Sequence, residues 1–184
     1  DTIGSYAYLD FYQKLLQSQA NGGEYFNDLI TFLATANAPY TVFLENKIVA
    51  NVDLQSVLHF HQENGNRITA VFKRVSKKNV APDDQLYILD EENTIMSCQQ
   101  AIDTQSQDSY NLGLNIYVAD TKWLIAELKK AQKCGAPIDI GQRFASLAAK
   151  YRTNAYEYTG YLHNVHDIKS YYDSNIEMLD KKKS

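Results

Sequence analysis

Imidazole is both a metal ligand and a general base near neutral pH, so the four histidines are weighed first. They come as two pairs, His59-Phe60-His61 and His163-Asn164-Val165-His166. Residues two apart on a helix point to nearly opposite faces, so His59 and His61 are not expected to share a metal. His163 and His166, followed by Asp167, make a denser group, but no well-spaced third ligand accompanies them; a helix entry or plain surface is the simpler reading. Nucleophilic catalysis has no better footing. There is no G-x-S-x-G elbow, and neither Cys98 nor Cys134 carries a recognisable flanking signature. Neither the P-loop pattern nor the glycine-rich dinucleotide fingerprint occurs. Gly22-Gly23 precedes a helical stretch but reads as a loop. Fourteen tyrosines would suit a stacking surface for bases or sugars, yet Tyr25, Tyr171 and Tyr172 fall on helical stripes where packing is expected.

The whole composition narrows the classes further. With 184 residues, 45% hydrophobic, 8 Gly and 3 Pro, the chain suits one well-cored domain or part of a larger one, and not a disordered, collagen-like or disulfide-scaffold protein. Glycine scarcity leaves little room for the close backbone approach that phosphate groups favour. Two distant cysteines without CxxC spacing fit reduced thiols in a cytoplasmic protein. No run approaches the roughly 18 apolar residues of a membrane span. A net charge of -4 with interspersed basic residues argues against a nucleic-acid groove, and Lys73-Arg74, Lys77-Lys78 and Lys181 to Lys183 read as solvated surface. The chain opens on Asp1 and closes on Lys181-Lys182-Lys183-Ser184, neither of which reads as a domain boundary, so a fragment is one expectation.

Which elements would position any site follows from periodicity. The segment from Tyr6 to Tyr12 has neither clean helical nor clean strand spacing. Tyr25, Leu29, Phe32, Leu33 and Ala36 follow a helical stripe stopped at Asn37-Ala38-Pro39. Tyr40 to Leu44 is a short apolar run of the kind found in a strand covered on both faces, a parallel-sheet signal. Asp53 is placed to cap a helix with Leu54, Val57, Leu58 and His61 on its stripe, ending at Asn64-Gly65. Ile68 to Val75 reads as a buried strand. Leu86 to Leu89 and Thr94 to Met96 flank Asp90-Glu91-Glu92-Asn93 as a hairpin. Leu114 to Val118 is a strand, followed by a helix capped by Asp120 or Thr121 that runs through Trp123, Leu124, Leu128 and Ala131 to Gly135, before Pro137. Asp139 is placed to cap a helix with Phe144, Leu147 and Ala148, Asn154 to Tyr158 is a short strand, and Asp167 caps a last helix with Ile168, Tyr171, Tyr172, Ile176 and Leu179 on one side. Strands alternating with helices, plus one hairpin, predict a single α/β domain with a mixed, mainly parallel sheet.

Asn154-Ala155-Tyr156-Glu157-Tyr158-Thr159-Gly160-Tyr161, followed after eight residues by Ser170-Tyr171-Tyr172-Asp173-Ser174-Asn175-Ile176-Glu177-Met178-Leu179, resembles the end of the nucleotidyltransferase domain of bacterial glucose-1-phosphate adenylyltransferases. Val49 to Leu54 running into Val57 to His61, Leu114 to Val118, and Asp139-Ile140-Gly141 are similar to further stretches of that family, in order. The resemblance covers most of the chain from about Glu24 onward. It implies a Rossmann-like nucleotide-diphospho-sugar transferase fold whose first strands and glycine-rich loop would precede Asp1, with residues 181–184 leading towards a β-helix domain.

Departures from the family pattern bear directly on chemistry. The family ends one strand in Gly-Asp-His, whose Asp holds the catalytic magnesium; here the stretch is Glu45-Asn46-Lys47. Its second magnesium aspartate lies in Gly-Tyr-Trp-x-Asp-Val-Gly-Thr, and Asn164 takes that place within Gly160 to Asp167. The serine used on the sugar phosphate falls at Gly113, and the Glu-Lys-Pro motif has no counterpart near Cys98 to Ile102. Neither an amide nor an ammonium replaces a carboxylate on Mg²⁺. The pattern resembles the non-catalytic GlgD-type subunit of this family, which implies a chain without a resident cofactor, working in a hetero-oligomer with a catalytic adenylyltransferase subunit in glycogen synthesis. Two rival expectations remain. An active enzyme would hold magnesium through Glu45, Asp53 or Asp167, and a sensing module would bind a sugar phosphate or nucleotide around Gly113, Tyr117, Asp139 and Tyr161.

Overall fold

Helix α1 (Asn27–Ala36) is the first element of a computed structural model that describes residues 26–45, 47–103, 108–133 and 140–179. Phe26, Ile30 and Leu33, spaced four and three apart, give it one buried side. Asn37 ends it in the left-handed conformation at φ 47°, which asparagine tolerates better than most residues. The chain divides into two compact units, residues 1–41 with 119–139 and residues 42–118 with 140–184.

In the first unit α1 packs with α3 (Thr121–Lys133), whose Leu124, Leu128 and Ala131 are buried at helical spacing. Two bonds tie the start of α3: the Thr121 amide donates to the Pro39 carbonyl at 3.0 Å, and the Thr41 and Thr121 hydroxyls lie 2.8 Å apart. Gly135, Pro137, Cys134, Gly22, Gly23, Tyr25, the Tyr6 to Tyr12 segment and the Lys181 to Lys183 tail lie outside the described residues.

The second unit is built on a sheet ordered β5-β4-β6-β3-β7, with β1 also pairing to β6. Its strands are β1 (Tyr40–Leu44), β3 (Ile68–Val75), β4 (Gln85–Leu89), β5 (Ile95–Gln100), β6 (Tyr110–Asp120) and β7 (Tyr156–Glu157). A separate pair joins β2 (Ile48–Ala50) to β8 (Leu162–Asn164). Helices α2 (Leu54–Glu63), α4 (Ile140–Lys150) and α5 (Ile168–Met178) complete it. Val57, Val71, Val75, Leu112, Leu114 and Val118 form the centre of the core. Phe43, Tyr117 and Phe144 add a tilted and edge-on aromatic group with centroids 4.9 to 6.2 Å apart.

The α/β class with a mixed sheet is present, but its balance differs from the mainly parallel sheet expected. Among the pairings described, β4 with β5, β4 with β6 and β2 with β8 run antiparallel, while β3 with β7 is parallel. An unbroken apolar run reports burial on two faces and carries no direction; the connections decide that. Nor is β1 covered on both faces, since Val42 and Leu44 are exposed. The hairpin forms where expected. Asp90 Oδ1 accepts from the Glu92 and Thr94 amides, and Asn93 takes φ 58° to turn the chain.

Both expected caps at the ends of the site region are found. Asp53 accepts from the Gln55 amide at 3.0 Å and the Ser56 hydroxyl at 2.7 Å, and these bonds hold its carboxyl below the ordinary range. Asp167 and Ser170 form a reciprocal capping box at α5. The basic cluster read as solvated surface does more than that. Lys73 donates to the Gly160 carbonyl at 2.7 Å and lies over the Tyr158 ring, and Arg74 reaches Asn93 and Glu157.

Candidate functional site

Residues 45 to 47 connect β1 to β2, and the two side chains described there, Glu45 and Lys47, each anchor a polar cluster. Asn46 between them lies outside the described residues. The Glu45 cluster rests on β6. Asn115, within that strand, has φ 52°, a left-handed conformation that asparagine tolerates better than most residues but that interrupts the extended course of a strand. Its amide donates to Glu45 Oε2, the Glu45 amide donates to the Asn115 carbonyl at 3.2 Å, and the Tyr117 hydroxyl reaches Asn115 Oδ1 at 3.4 Å.

Tyr117 itself is 1% exposed, and its hydroxyl lies 3.0 Å from that of Tyr87. Burial drives both phenol pKa values well above the ordinary 10.0, so both stay neutral donors and acceptors. Gly113 explains how the pair fits. A Cβ there would stand 2.8 Å from Tyr87 Cζ, so the missing side chain is the space the Tyr87 ring occupies. Gly113 and Tyr117 are thus neighbours in one packed layer. Tyr161 stands elsewhere: its hydroxyl donates to Glu177 Oε2 of α5 at 2.9 Å, and desolvation, with the Glu177 bond, pushes its pKa to about 12. Asp139 lies outside the described residues.

Lys47 and Asn164, far apart in sequence, are brought together by the β2–β8 ladder. Ile48 stands opposite Asn164, and the Val165 amide donates to the Lys47 carbonyl at 3.0 Å. Their side chains meet at Asp84, on the turn that follows Pro82. Lys47 Nζ donates to Asp84 Oδ1 at 2.6 Å and Asp83 Oδ1 at 2.8 Å. Asn164 Nδ2 donates to Asp84 Oδ2 at 2.6 Å and to the Asn79 carbonyl at 3.3 Å. The Ala81 amide also donates to Asp84 Oδ2, at 2.6 Å. The side chains of Asp84 and Lys47 are 3% and 18% exposed, so the pair is largely shielded from water. Burial acts to lower the Lys47 pKa, but hydrogen bonds and charge from Asp83 and Asp84 outweigh it, and the ammonium titrates above its ordinary 10.5. The Lys47 bond in turn lowers Asp83.

These residues do not fit a magnesium ion at the positions of Lys47 and Asn164. An ammonium occupies one, an amide the other, and the carboxylate between them is already bonded to both. The alternative carboxylates are dispersed: Asp53 and Asp167 cap helices, and Glu45 is bonded to Asn115. The histidines do not gather either. His59 faces Glu63 at 3.2 Å, buried His61 bonds Thr69, His163 lies 3.7 Å from Glu177, and His166 Nδ1 lies 3.1 Å from the Asn164 carbonyl. Among the described residues no three His, Cys, Asp or Glu side chains converge on a metal position.

Sequence reasoning found Lys47 and Asn164 but missed Asp83, Asp84 and Asn115. The Ala81-Pro82-Asp83-Asp84 stretch carried a turn signal, since Pro and Asp favour tight turns. Nothing local announced that the turn would close over Lys47.

No family model matches the chain. It is similar to a glucose-1-phosphate adenylyltransferase of Geobacter metallireducens, 22% identical over 171 residues, covering 83% of this chain and 41% of that protein. It is also similar to one of Lachnospira eligens, 24% identical over 156 residues, covering 82% of this chain and 35% of that protein. The chain therefore spans less than half the length of these relatives.

Proposed function

We propose that this chain belongs to a non-catalytic, GlgD-type subunit that modulates a catalytic glucose-1-phosphate adenylyltransferase through subunit contacts and makes no ADP-glucose itself. The observation that carries the reading is the Lys47–Asp84–Asn164 cluster. Nucleotidyl transfer spreads negative charge over phosphate oxygens, and the enzymes that perform it neutralise that charge with metal ions held by carboxylates. Where the resemblance puts those carboxylates, this chain has Asn46-Lys47 at one place and Asn164 at the other, with no carboxylate at either. Lys47 and Asn164 are both donors, and both are turned inward onto Asp84. The names of the two similar proteins support the glycogen-related setting, and their low identity is in keeping with a diverged paralogue.

The test is ADP-glucose formation from ATP and glucose 1-phosphate by the intact protein, alone and mixed with a catalytic subunit. Alone it should run roughly 10²-fold or more below the catalytic subunit, and adding it should change that subunit's rate or effector response. Strong turnover by the protein alone would sink the proposal, and so would a complete lack of association between the two.

A further inference from the structure

We propose that Asn64-Gly65, at the C-terminal end of α2, is a site of spontaneous deamidation, and that the isoaspartate formed there unlocks the last turn of the helix. Asparagine is a chemically labile side chain, and the reaction is intramolecular. The backbone nitrogen of the next residue attacks Cγ, a new C–N bond closes a succinimide ring, and the side-chain nitrogen leaves as ammonia. Solvent water then opens the ring at either carbonyl, giving aspartate or isoaspartate. The residue that follows governs the rate, because its side chain hinders the attacking nitrogen and glycine has none. Every other described asparagine precedes a residue with a Cβ, whereas Asn64 precedes Gly65. The remaining Asn-Gly pair, Asn21-Gly22, lies outside the described residues. The surroundings are open as well: Asn64 and Gly65 are both exposed, and a Cβ at Gly65 would meet no heavy atom within 4 Å.

The local backbone shows what the modification would break. Gly65 has φ 60°, its amide donates to the Gln62 carbonyl at 3.1 Å, and the Asn66 amide donates to the His61 carbonyl at 3.2 Å, the paired bonds of a Schellman cap. Asn64 Nδ2 adds a bond to the Phe60 carbonyl at 2.8 Å. While these bonds last the Gly65 nitrogen is engaged, so attack proceeds from the frayed helix end and the folded chain reacts more slowly than the unfolded one. Isoaspartate adds a methylene to the backbone, which spoils the cap spacing, and it removes the donor to Phe60. It also sets a carboxylate at the negative end of the helix dipole. The inference goes beyond the partner-subunit reading and is independent of it, because the reaction needs only this chain and water.

The experiment ages the intact protein in warm, mildly alkaline buffer made with heavy-oxygen water, beside a urea-denatured sample. Tryptic peptide 48–67 is then mapped by mass, with electron-transfer fragmentation to separate aspartate from isoaspartate. Asn64 should take up solvent oxygen ahead of Asn51 and Asn66 in the same peptide, isoaspartate should exceed aspartate, and the native sample should lag the denatured one. Amide exchange across residues 60–66 should be faster in the aged protein than in Asn64→Asp, which adds the charge but keeps the backbone spacing. If Asn64 stays intact in native protein after the denatured sample has fully converted, the proposal is overturned, as it is if Asn51 or Asn66 converts first. Unchanged amide exchange in the last turn of fully converted protein overturns the unlocking of α2.

Discussion

Asp84 accepts hydrogen bonds from three groups that the sequence holds far apart or keeps in the backbone: Lys47 Nζ, Asn164 Nδ2 and the Ala81 amide. Truncating a buried partner leaves the remaining charge desolvated and uncompensated, which costs more than the pair contributes. Lys47→Met should therefore lose about 2–4 kcal/mol of unfolding free energy, read from urea denaturation at neutral pH. Asn164→Asp should lose about 1–3 kcal/mol at pH 7, because it sets a second carboxylate against Asp84 Oδ2. That loss should shrink on acidification, as one of the two carboxyls takes a proton. A loss that stays constant down to pH 4 would show that charge is not its cause. Titration adds a further check. Lys47 is raised from 10.5, so its contribution is complete below that value and disappears as pH climbs through the higher folded value. Asp83 is lowered from 3.8, so its contribution is present above that value and disappears as pH falls through the lower folded one. Asp84, Asn164 and His166 complete the surroundings of the pair. The stability gap between unaltered protein and Lys47→Met should be flat from roughly pH 5 to 9 and close towards both extremes.

At the scale of elements, β6 shows how one strand can serve both packing and placement. Its middle carries Gly113, whose missing Cβ admits Tyr87, and Asn115, whose left-handed backbone turns an amide towards Glu45. Gly113→Ala should cost about 1–3 kcal/mol and break the Tyr87–Tyr117 hydroxyl contact; an unchanged midpoint in denaturant would mean the ring has room to move. Helix α5 depends on its cap instead. Asp167→Ala removes the acceptor for the Ser170 amide and should fray the helix start, seen as faster amide exchange in the first turn of α5 with little change at β3. The sequence announced both caps, because an Asp before an apolar stripe is a local signal. It did not announce the left-handed backbone at Asn115 inside β6.

For the molecule as a whole, the amphipathic stripe of α5 is the clearest case where pattern and packing part. Ile168, Tyr171, Tyr172, Ile176 and Leu179 share one side of the helix as the spacing predicts, yet all five are exposed. Periodicity shows that a face is apolar and cannot show what covers it. Tyr171→Ser with Ile176→Ser should accordingly change the stability of this chain by no more than about 0.5 kcal/mol; a loss of several kcal/mol would mean the face is covered. No helix among the described residues is long and apolar enough to cross a membrane.

The order of most elements, the caps at Asp53 and Asp167, the β4–β5 hairpin and the buried course of β3 were all legible in the sequence. Each is set by residues within a few positions of one another, whose capping, turn and burial preferences act locally. The sequence also singled out Lys47 and Asn164 as departures from a resembling family. Sheet direction, the exposure of β1 and α5, and the meeting of Lys47 with Asp83, Asp84 and Asn164 belong to the tertiary structure alone. They depend on which strand lies beside which, and on the β2–β8 register that sets residue 48 opposite residue 164. Local propensity carries no information about a partner more than a hundred residues away, and the charge balance of a buried site is settled only when those partners arrive.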